Sequence, residues 1–349
     1  MNPDISFCRL SEIAEAMRFI GRFWAHGHVL STSRKLMDWQ HRSSVEGRDY
    51  DLVLARRAED GEILGLLGFV STRRYDPALE RTNTLWFALW KVREDAGIAG
   101  LGLMMYRFLI SQERHTGVGT LGISAQAERI YQALGYRMGV LNQYFLLNPS
   151  LKTYHLVRIP PHWKPPRAAH HGCVRYIPVD QDALRAMRIR DLDLGGRDAF
   201  HPAKTPHYFL QRYGMHPFYR YGVYLVVREG RSLGLAALRR IDHEGCRALR
   251  LVDYLGHEQG IEEAGPAFQA LLEEHRAEYI DVLNTGLSES HFAGAGMTRV
   301  DLSGEVIIPN YFEPYQCKNV AVCYAFHAPD GRPHILFKAD ADQDRPNCL

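Results

Sequence analysis

The sequence predicts an α/β protein of the α+β type, built from two similar domains with mixed, mostly antiparallel central sheets flanked by helices. Three observations predict this fold class. The chain has 349 residues, about twice the length of one ordinary domain. A proline-rich stretch lies near its middle. The two sides of that stretch repeat one order of helices and strands, which is the pattern expected of an internal duplication.

The domain boundary is predicted within residues 151–172. The stretch IPPHWKPPRAAHHG, at 159–172, holds four prolines and little hydrophobic periodicity. Proline has no N–H group and a fixed φ, so neither a helix nor a central strand is expected there. We therefore expect one domain over residues 1–150, a linker over 151–172 and a second domain over 173–349.

The first half predicts a helix, three strands, a helix, a strand, a helix and a strand, in that order. Apolar residues at helical spacing follow the candidate cap Ser11, namely Ile13, Met17, Ile20 and Trp24. YDLVLARR and EILGLLGFV flank a turn at Asp60-Gly61 and predict a hairpin. The nearly all-apolar TNTLWFALWKV predicts a central strand. The helix LMMYRFLISQERH, the strand VGTLGI, the helix SAQAERIYQALGY ended by Gly135 and the strand VLNQYFLL complete this half.

The second half repeats this order. It contains the strand CVRYIPV, the helix DQDALRAMRIRDL behind the candidate cap Asp180, a hairpin around Glu229-Gly230, and the strand CRALRLVDYL. It continues with the helix AFQALLEEHRA, the strand EYIDVL, the short helix SESHFAGAG and the strand VIIPNYF. ILGLLGF at 63–69 matches SLGLAAL at 232–238, and LGYRM at 134–138 matches AGMTRV at 295–300. These matches support a duplication.

Composition and charge exclude several functional classes. The net charge is +2 with scattered basic residues, which argues against nucleic acid as a partner. The sequence has neither an apolar run of about 18 residues nor the pattern of a signal peptide, so no membrane partner is expected. The six cysteines form no CxxC pair and no HExxH motif occurs, so we expect reduced thiols, no metal and a cytoplasmic location.

Three glycines, Gly97, Gly100 and Gly102, lie between the predicted central strand and the following helix. Glycines at such a place let backbone N–H groups approach a diphosphate, and a helix N-terminus adds a positive dipole end. A dinucleotide-binding βαβ unit would carry this loop after its first strand. Here the loop follows the third or fourth strand of an antiparallel run, so a dinucleotide-binding unit is disfavoured.

The strand, the glycine loop and the helix together resemble the GNAT superfamily of acyl-CoA-dependent N-acyltransferases, whose loop reads R/Q-x-x-G-x-G/A. Gly100 and Gly102 match that loop, whereas Gly97 stands where Arg or Gln is usual. AERIYQALGY, at 127–136, is similar to the family pattern A-x-x-x-Y-x-x-x-G-F. The resemblance implies two tandem GNAT-like domains.

The resemblance also implies coenzyme A as the cofactor, with acyl-CoA as co-substrate bound in the first half. The end of the central strand would bond the pantetheine arm through its backbone: Leu89, Trp90, Lys91 and Val92. Amides of the loop and helix start would hold the pyrophosphate: Gly97, Ile98, Ala99, Gly100, Leu101, Gly102 and Leu103. Tyr131 would lie near the thiol as a candidate proton donor, and the alternative is a core tyrosine. The second half carries the acidic stretch GHEQGIEEAG in place of the loop, so we expect that copy to have lost the coenzyme site.

Three segments rich in aromatic and charged residues predict a site for a second, polar substrate. They are FWAHGHVLSTSRKLMDW at 23–39, FLQRYGMHPFYRYGVYL at 209–225 and FKADADQDRPN at 337–347. Aromatic rings together with Arg suit a base, a sugar and a phosphate. An aromatic core and a solvated polar terminus are the alternatives. The candidate substrate residues are Trp24, Trp39, Arg212, Tyr213, His216, Tyr219, Tyr221, Asp340, Asp342, Asp344, Arg345 and Asn347.

These segments, together with LWFALWKV at 85–92 and YFEPY at 311–315, resemble the tandem-GNAT-like N-acyltransferases of bacterial surface-polysaccharide pathways, including O-antigen and lipopolysaccharide biosynthesis. The resemblance implies transfer from acyl-CoA to the amino group of a dTDP-linked 3- or 4-amino-dideoxyhexose, by direct attack. His28 is the first candidate for a general base, because its ordinary pKa lies near neutrality. A peptide or amino-acid acceptor, and a non-catalytic protein that binds acyl-CoA or a nucleotide sugar, remain as alternatives.

Overall fold

The computed structural model describes residues 3–165 and 172–347. They form a seven-stranded and an eight-stranded sheet with flanking helices, which confirms the predicted fold class. Residues 166–171 of the predicted linker 151–172, and Cys348, lie outside the described residues.

The first half of the chain contributes seven strands and five helices. The strands are β1 (Asp4–Phe7), β2 (Leu52–Arg56), β3 (Ile63–Ser71), β4 (Thr84–Val92), β5 (Gly117–Leu121), β6 (Arg137–Val140) and β7 (Asn142–Leu147). The helices are α1 (Ile13–Phe19), α2 (Val29–Thr32), α3 (Arg34–His41), α4 (Leu101–Gln112) and α5 (Ala125–Ala133), and α1 runs into a π-helical turn, Ile20–Trp24.

The second half contributes eight strands and five helices to the described structure. The strands are β8 (Val174–Pro178), β9 (Tyr221–Arg228), β10 (Arg231–His243), β11 (Cys246–Gly256), β12 (Tyr279–Thr285), β13 (Thr298–Arg299), β14 (Cys323–His327) and β15 (Leu336–Phe337). The helices are α6 (Gln181–Ala186), α7 (Pro206–Phe209), α8 (Gln259–Glu262), α9 (Gly265–His275) and α10 (Glu289–Gly294). Like α1, α7 runs into a π-helical turn, Leu210–Gly214.

The two halves exchange strands. The first sheet has the order β1-β2-β3-β4-β5-β14-β6, so β14 from the second half lies between two strands of the first. The second sheet has the order β13-β7-β12-β11-β10-β9-β8, so β7 from the first half pairs with β12. Each sheet therefore depends on a strand from the other half of the chain.

The internal duplication is visible in the strand pairing. The matched segments 63–69 and 232–238 lie in β3 and β10, which pair antiparallel with β4 and β11. Each sheet also holds one parallel pair at the equivalent place, β4 with β5 in the first and β11 with β12 in the second. The remaining registered pairs are antiparallel.

Some predicted elements differ from the structure at their ends. Asp180 caps α6 as predicted, with Oδ1 accepting from the Ala183 N–H at 2.7 Å, but the helix ends at Ala186 rather than continuing through 192. VIIPNYF is not a strand, and its residues take part in two isolated bridges, Ile307 with Arg158 and Phe312 with Tyr315. The reason is Pro309 within this segment, which cannot donate to a neighbouring strand.

Apolar clusters cover both faces of the first sheet. One joins the sheet to α1, α2 and α3, and another joins it to α4 and α5. A further cluster joins the two halves, and it contains Trp86 of β4, Tyr213 of the second π-helical turn and Ala339 near the C-terminus. This contact between the halves places residues distant in sequence beside the parallel strand pairs.

Candidate functional site

The parallel strands β4 and β5 diverge along their length. Their registered pairing covers Thr84–Trp86 of β4 and residues 117–119 of β5. Ala88 forms a bulge opposite β3, because Gly68 pairs with Leu89 and Phe69 pairs with Phe87. Residues 89–92 of β4 then continue along β3, while β5 ends at Leu121. The other edge of β4 consequently opens into a gap between the two strands.

The glycine loop lies between the end of β4 and α4. Gly97 and Gly100 have φ values of 69° and 73°, a left-handed conformation that favours glycine. A Cβ atom built on either residue would meet no atom within 4 Å, so the backbone conformation, and not a lack of space, requires glycine there. At Gly102, the same construction places Cβ 3.3 Å from Nε1 of Trp90. The first turn of α4 is thus held close against β4.

The charged side chains around this loop are paired with one another. Arg93 bonds Asp95 at 2.7 Å and Glu62 at 2.5 Å, and its guanidinium lies 4.9 Å from the centre of the Phe23 ring. Hydrogen bonding from Arg93 lowers the pKa of Asp95 to about 2. Because Arg93 is already paired with two carboxylates, binding of a phosphate at this loop would depend chiefly on backbone N–H groups and the helix end.

Tyr131 lies in an aromatic cluster beside the gap. Its ring stacks on Phe87 at 6.2 Å and contacts the edges of Trp90 and Tyr136. The side chain is 3% exposed, and burial raises its pKa. The hydroxyl therefore stays protonated at neutral pH. The predicted role of Tyr131 as a proton donor stays a prediction.

The gap between the equivalent strands of the second half is filled by the chain itself. The pairing of β11 with β12 covers residues 249–251 and 280–282, after which the strands separate. β15 enters this space and pairs with Asn284 and Thr285. The N–H of Lys338 donates to Leu283 O of β12, and the N–H of Ala339 donates to Val252 O of β11, both at 3.3 Å. Residues 336–339 thus satisfy backbone groups on both separating strands.

Several predicted substrate residues belong to the scaffold that holds this C-terminal segment. Arg212 donates to the carbonyls of Ala339 and Ala341, and its side chain is buried. Asp340 accepts from the Phe337 N–H at 2.6 Å and pairs with Lys204. The Tyr213 hydroxyl donates to Asp253 at 2.7 Å. The structure therefore gives Arg212, Tyr213 and Asp340 internal partners in place of a surface for substrate, since the same residue types serve buried networks.

Asp342 and Asp344 are also buried. Asp344 accepts from the Tyr221 hydroxyl at 2.7 Å and pairs with Arg239 at 2.9 Å. Asp342 pairs with Arg345 at 3.2 Å. These contacts fix the segment that follows β15 in front of the first half.

The remaining predicted residues form a partly exposed cluster where the two halves meet. The ring of His216 lies 4.2 Å from that of Trp39 and stacks on Tyr219 at 5.4 Å. Nη2 of Arg345 lies 3.1 Å from Nε2 of His28. We call the set His28, Trp39, His216, Tyr219, Tyr221 and Arg345 the interdomain cluster. Trp24, 43% exposed, and Asn347, also exposed, lie on the surface.

Two rings of the interdomain cluster share an apolar cluster with the bulge of β4. Trp39, Tyr221 and Ala341 belong to one apolar cluster with Ala88, the bulge residue of β4. Gln343 occupies the space where a Cβ on Gly122 would lie, just beyond the end of β5. The C-terminal segment therefore reaches from the filled gap of the second half to the mouth of the open gap in the first.

The two histidines of this cluster have similar surroundings. Nδ1 of His28 accepts from the Leu30 N–H at 3.2 Å, and Nδ1 of His216 accepts from the Tyr219 N–H at 2.9 Å. Burial lowers the pKa of each ring to about 4, so both are neutral at pH 7. A neutral ring that accepts at Nδ1 carries its proton at Nε2. In the tautomer that accepts at Nδ1, each ring is a donor at Nε2. The predicted role of His28 as a general base stays a prediction.

Sequence reasoning missed several residues that shape this site. Glu313 accepts from the Tyr219 hydroxyl and from the Asn347 N–H, both at 2.8 Å. Glu313 lies in the stretch YFEPY, and the resemblance of this stretch to the sugar acyltransferases could have identified it as a site residue. Lys204 and Asp253 support the C-terminal segment, and no local pattern marks either of them.

Two further observations concern the described residues as a whole. Within residues 3–165 and 172–347, no group of three or more His, Cys, Asp or Glu side chains could hold a metal ion. None of the helices in this part of the chain has the length and hydrophobicity needed to cross a bilayer.

The structure is similar to solved GCN5-related N-acetyltransferases. That of Anabaena variabilis ATCC 29413 superposes with a TM-score of 0.53 at 10% identity, covering 94% of this chain and 73% of that one. That of Kribbella flavida gives a TM-score of 0.53 at 12% identity, covering 94% and 71%. No protein-family model matches the sequence, and no curated protein matches it. The chain thus has the GCN5-related N-acetyltransferase (GNAT) fold, in two tandem GNAT-like domains.

Proposed function

We propose that the protein is an acyl-CoA-dependent N-acyltransferase that acts on the amino group of a dTDP-linked 3- or 4-amino-dideoxyhexose. In this proposal the first half binds acyl-CoA, the interdomain cluster binds the sugar nucleotide, and the reaction takes place in the cytoplasm. The acyl group passes directly to the amine, and no enzyme nucleophile is required.

The difference between the two strand gaps carries the coenzyme assignment. In the first half, β4 diverges from β5 beside a glycine loop and a helix start. In the second half, residues 336–339 occupy the equivalent gap. An extended arm with amide groups suits the first gap, because the open edge of a strand offers backbone donors and acceptors. The open backbone at Gly97 and Gly100 fits a diphosphate at the start of α4.

The interdomain cluster supports a polar acceptor. It combines three large aromatic rings, two histidines and an arginine, and two of the rings, Trp39 and Tyr221, belong to the apolar cluster that contains Ala88 of β4. Such a set can stack against a base or sugar and donate to phosphate oxygens. The resemblance of segments 24–31, 212–217 and 337–347 to the sugar acyltransferases selects the dTDP-amino sugar among polar amines.

The residues of the chain would divide the chemistry between them. Coenzyme A supplies an activated acyl group as a thioester when it is bound. Main-chain N–H groups on the open edge of β4 would stabilise negative charge on an oxygen in the gap. As the C–N bond forms and the C–S bond breaks, the amine would release its proton to solvent, and Tyr131 would donate its hydroxyl proton to the departing thiolate. The interdomain cluster would orient the amine.

The proposal is tested by following thiol release from acyl-CoA across a panel of amines. The panel contains dTDP-linked 3- and 4-amino sugars, free amino sugars, amino acids and short peptides. We expect thiol release and an N-acylated product with at least one dTDP-amino sugar. Release with peptides or amino acids alone would overturn the sugar-nucleotide acceptor, and CoA binding without turnover of any amine would favour a binding protein.

Replacement of Tyr131 with Phe is expected to slow turnover by about 10²-fold, the lower range for loss of a proton donor, with little change in either KM. Tyr136→Phe is the matched control, because Tyr136 lies in the same cluster and bonds Tyr106 at 3.2 Å. Steady-state kinetics of both variants checks this. Equal loss of kcat in the two variants would assign Tyr131 to packing alone.

A further inference from the structure

Hydrogen-bond donors face both ring nitrogens of His28. Nη2 of Arg345 lies 3.1 Å from Nε2 of His28, and a guanidinium has no acceptor atom. The tautomer of a neutral ring that accepts from the Leu30 N–H at Nδ1, at 3.2 Å, carries its proton at Nε2. In that tautomer, His28 and Arg345 both direct N–H groups at the same point.

The other contacts of Arg345 are long. Its Nε lies 3.2 Å from Asp342, and Nη1 lies 3.3 Å from Asn347 and 3.4 Å from the Pro346 carbonyl. Charge-assisted bonds of arginine to carboxylates are normally about 2.7–2.9 Å. The neighbouring Arg239, by contrast, pairs with Asp344 at 2.9 Å. Arg345 is thus held less tightly than its neighbour and can turn toward a better acceptor.

The acidic groups nearby have donors of their own. Glu313 accepts from Tyr219 and Asn347, and Asp344 is neutralised by Arg239.

We propose that His28 and Arg345 form a binding site for an oxyanion of the acceptor substrate. The oxyanion accepts one hydrogen bond from Nε2–H of His28 and others from the Arg345 guanidinium, which relieves the donor–donor contact. This deepens the proposed function, on which it rests, because it requires an acceptor that carries phosphate or carboxylate as well as an amine. A diphosphate of a sugar nucleotide and the carboxylate of an amino acid share this chemistry.

The test uses His28→Asn and Arg345→Met, with Arg220→Met as the control. Asparagine still caps α2 by accepting from the Leu30 N–H, but it does not reproduce the Nε2–H donor. Arg220 is an exposed arginine just before β9. For an anionic acceptor, we expect each of the first two variants to raise the acceptor KM by about 10–100-fold, while kcat and the KM for acyl-CoA change less than about threefold. An amino glycoside that carries no phosphate or carboxylate, called the neutral glycoside below, should show no such increase in KM.

The arms of the experiment separate the sources of the oxyanion. If the acceptor KM rises for dTDP-amino sugars and amino-sugar phosphates but not for amino acids, the oxyanion bound at this site is a phosphate. If it rises for amino acids alone, the oxyanion is a carboxylate. An equal increase in KM with the neutral glycoside would overturn the proposal. Turnover slowed by about 10²–10⁴-fold in His28→Asn, with unchanged KM, would also overturn it, since that result indicates a general base.

Calorimetry without acyl-CoA distinguishes failure of this inference from failure of the proposed function. We expect dTDP or a free amino acid to bind the wild-type protein and to bind both variants about 10–100-fold more weakly. If the protein binds these anions in this way but acylates no amine, the oxyanion site is supported and the proposed acyltransferase activity is overturned. Equal binding by wild type and variants, or no binding of either anion, would overturn the oxyanion site.

Discussion

Replacement of Gly100 with Glu is expected to abolish measurable CoA binding in a protein that still folds. Gly100 precedes α4 with a φ of 73°, and space is open around it, so a glutamate there projects outward from the helix start. A carboxylate at this point meets the diphosphate with like charge, which costs several kcal/mol. The Kd for CoA should therefore rise by about 10³-fold or more, as measured by calorimetry.

Gly230→Glu is the matched control for that substitution. Gly230 has a φ of 82°, open space around its Cβ position and a place in the hairpin turn between β9 and β10. Both variants carry the same backbone strain and the same added charge, so equal losses of thermal stability are expected. Unchanged CoA affinity in Gly100→Glu, or an equal loss in Gly230→Glu, would contradict the placement of the coenzyme.

Local sequence patterns predicted the elements that are stabilised locally. The helix α5 ends near Gly135, whose φ of 78° provides the left-handed residue that terminates it, and Asp180 caps α6 as expected. The exchange of β7 and β14 could not be predicted in this way. An apolar strand pattern shows that a segment is buried between two layers, but it does not identify the neighbouring strands.

The candidate site was predictable only in part, for a similar reason. The glycine loop is a contiguous signal, and the fold places it beside the gap of β4 and β5. Asp340 and Arg345 of the C-terminal segment are residue types that commonly bind ligands, so the sequence does not distinguish their roles. In the structure, Asp340 is buried against Lys204, whereas Arg345 faces His28. Partners more than 100 residues away decide between a structural and a ligand-binding role, and no spacing rule reveals them.

The buried group around Lys204 gives the largest expected effect on stability. Nζ of Lys204 lies 2.5 Å from carboxylates of both Asp253 and Asp340, and all three side chains are almost completely inaccessible. Lys204→Met removes the cation and leaves two buried carboxylates without it. Loss of one partner from a buried ion pair costs about 3–5 kcal/mol, so the free energy of unfolding should fall by that amount. Urea denaturation at pH 8 measures it.

The destabilisation should depend on pH in a defined direction. Burial raises the pKa of Asp340 to about 6 in the folded protein, against an ordinary value of 3.8. Between these values the folded state binds more protons than the unfolded state, so this group adds stability as the pH falls from about 7 to 4. Lys204 lowers the pKa of Asp340, so its removal raises that pKa further and enlarges the gain. The difference in unfolding free energy between wild type and Lys204→Met should therefore shrink from pH 8 to pH 5.

Lys152→Met, at an exposed position, is the control and should change the free energy of unfolding by less than about 0.5 kcal/mol at every pH. A difference for Lys204→Met that stays constant over this range would show that Asp340 does not take up the proton.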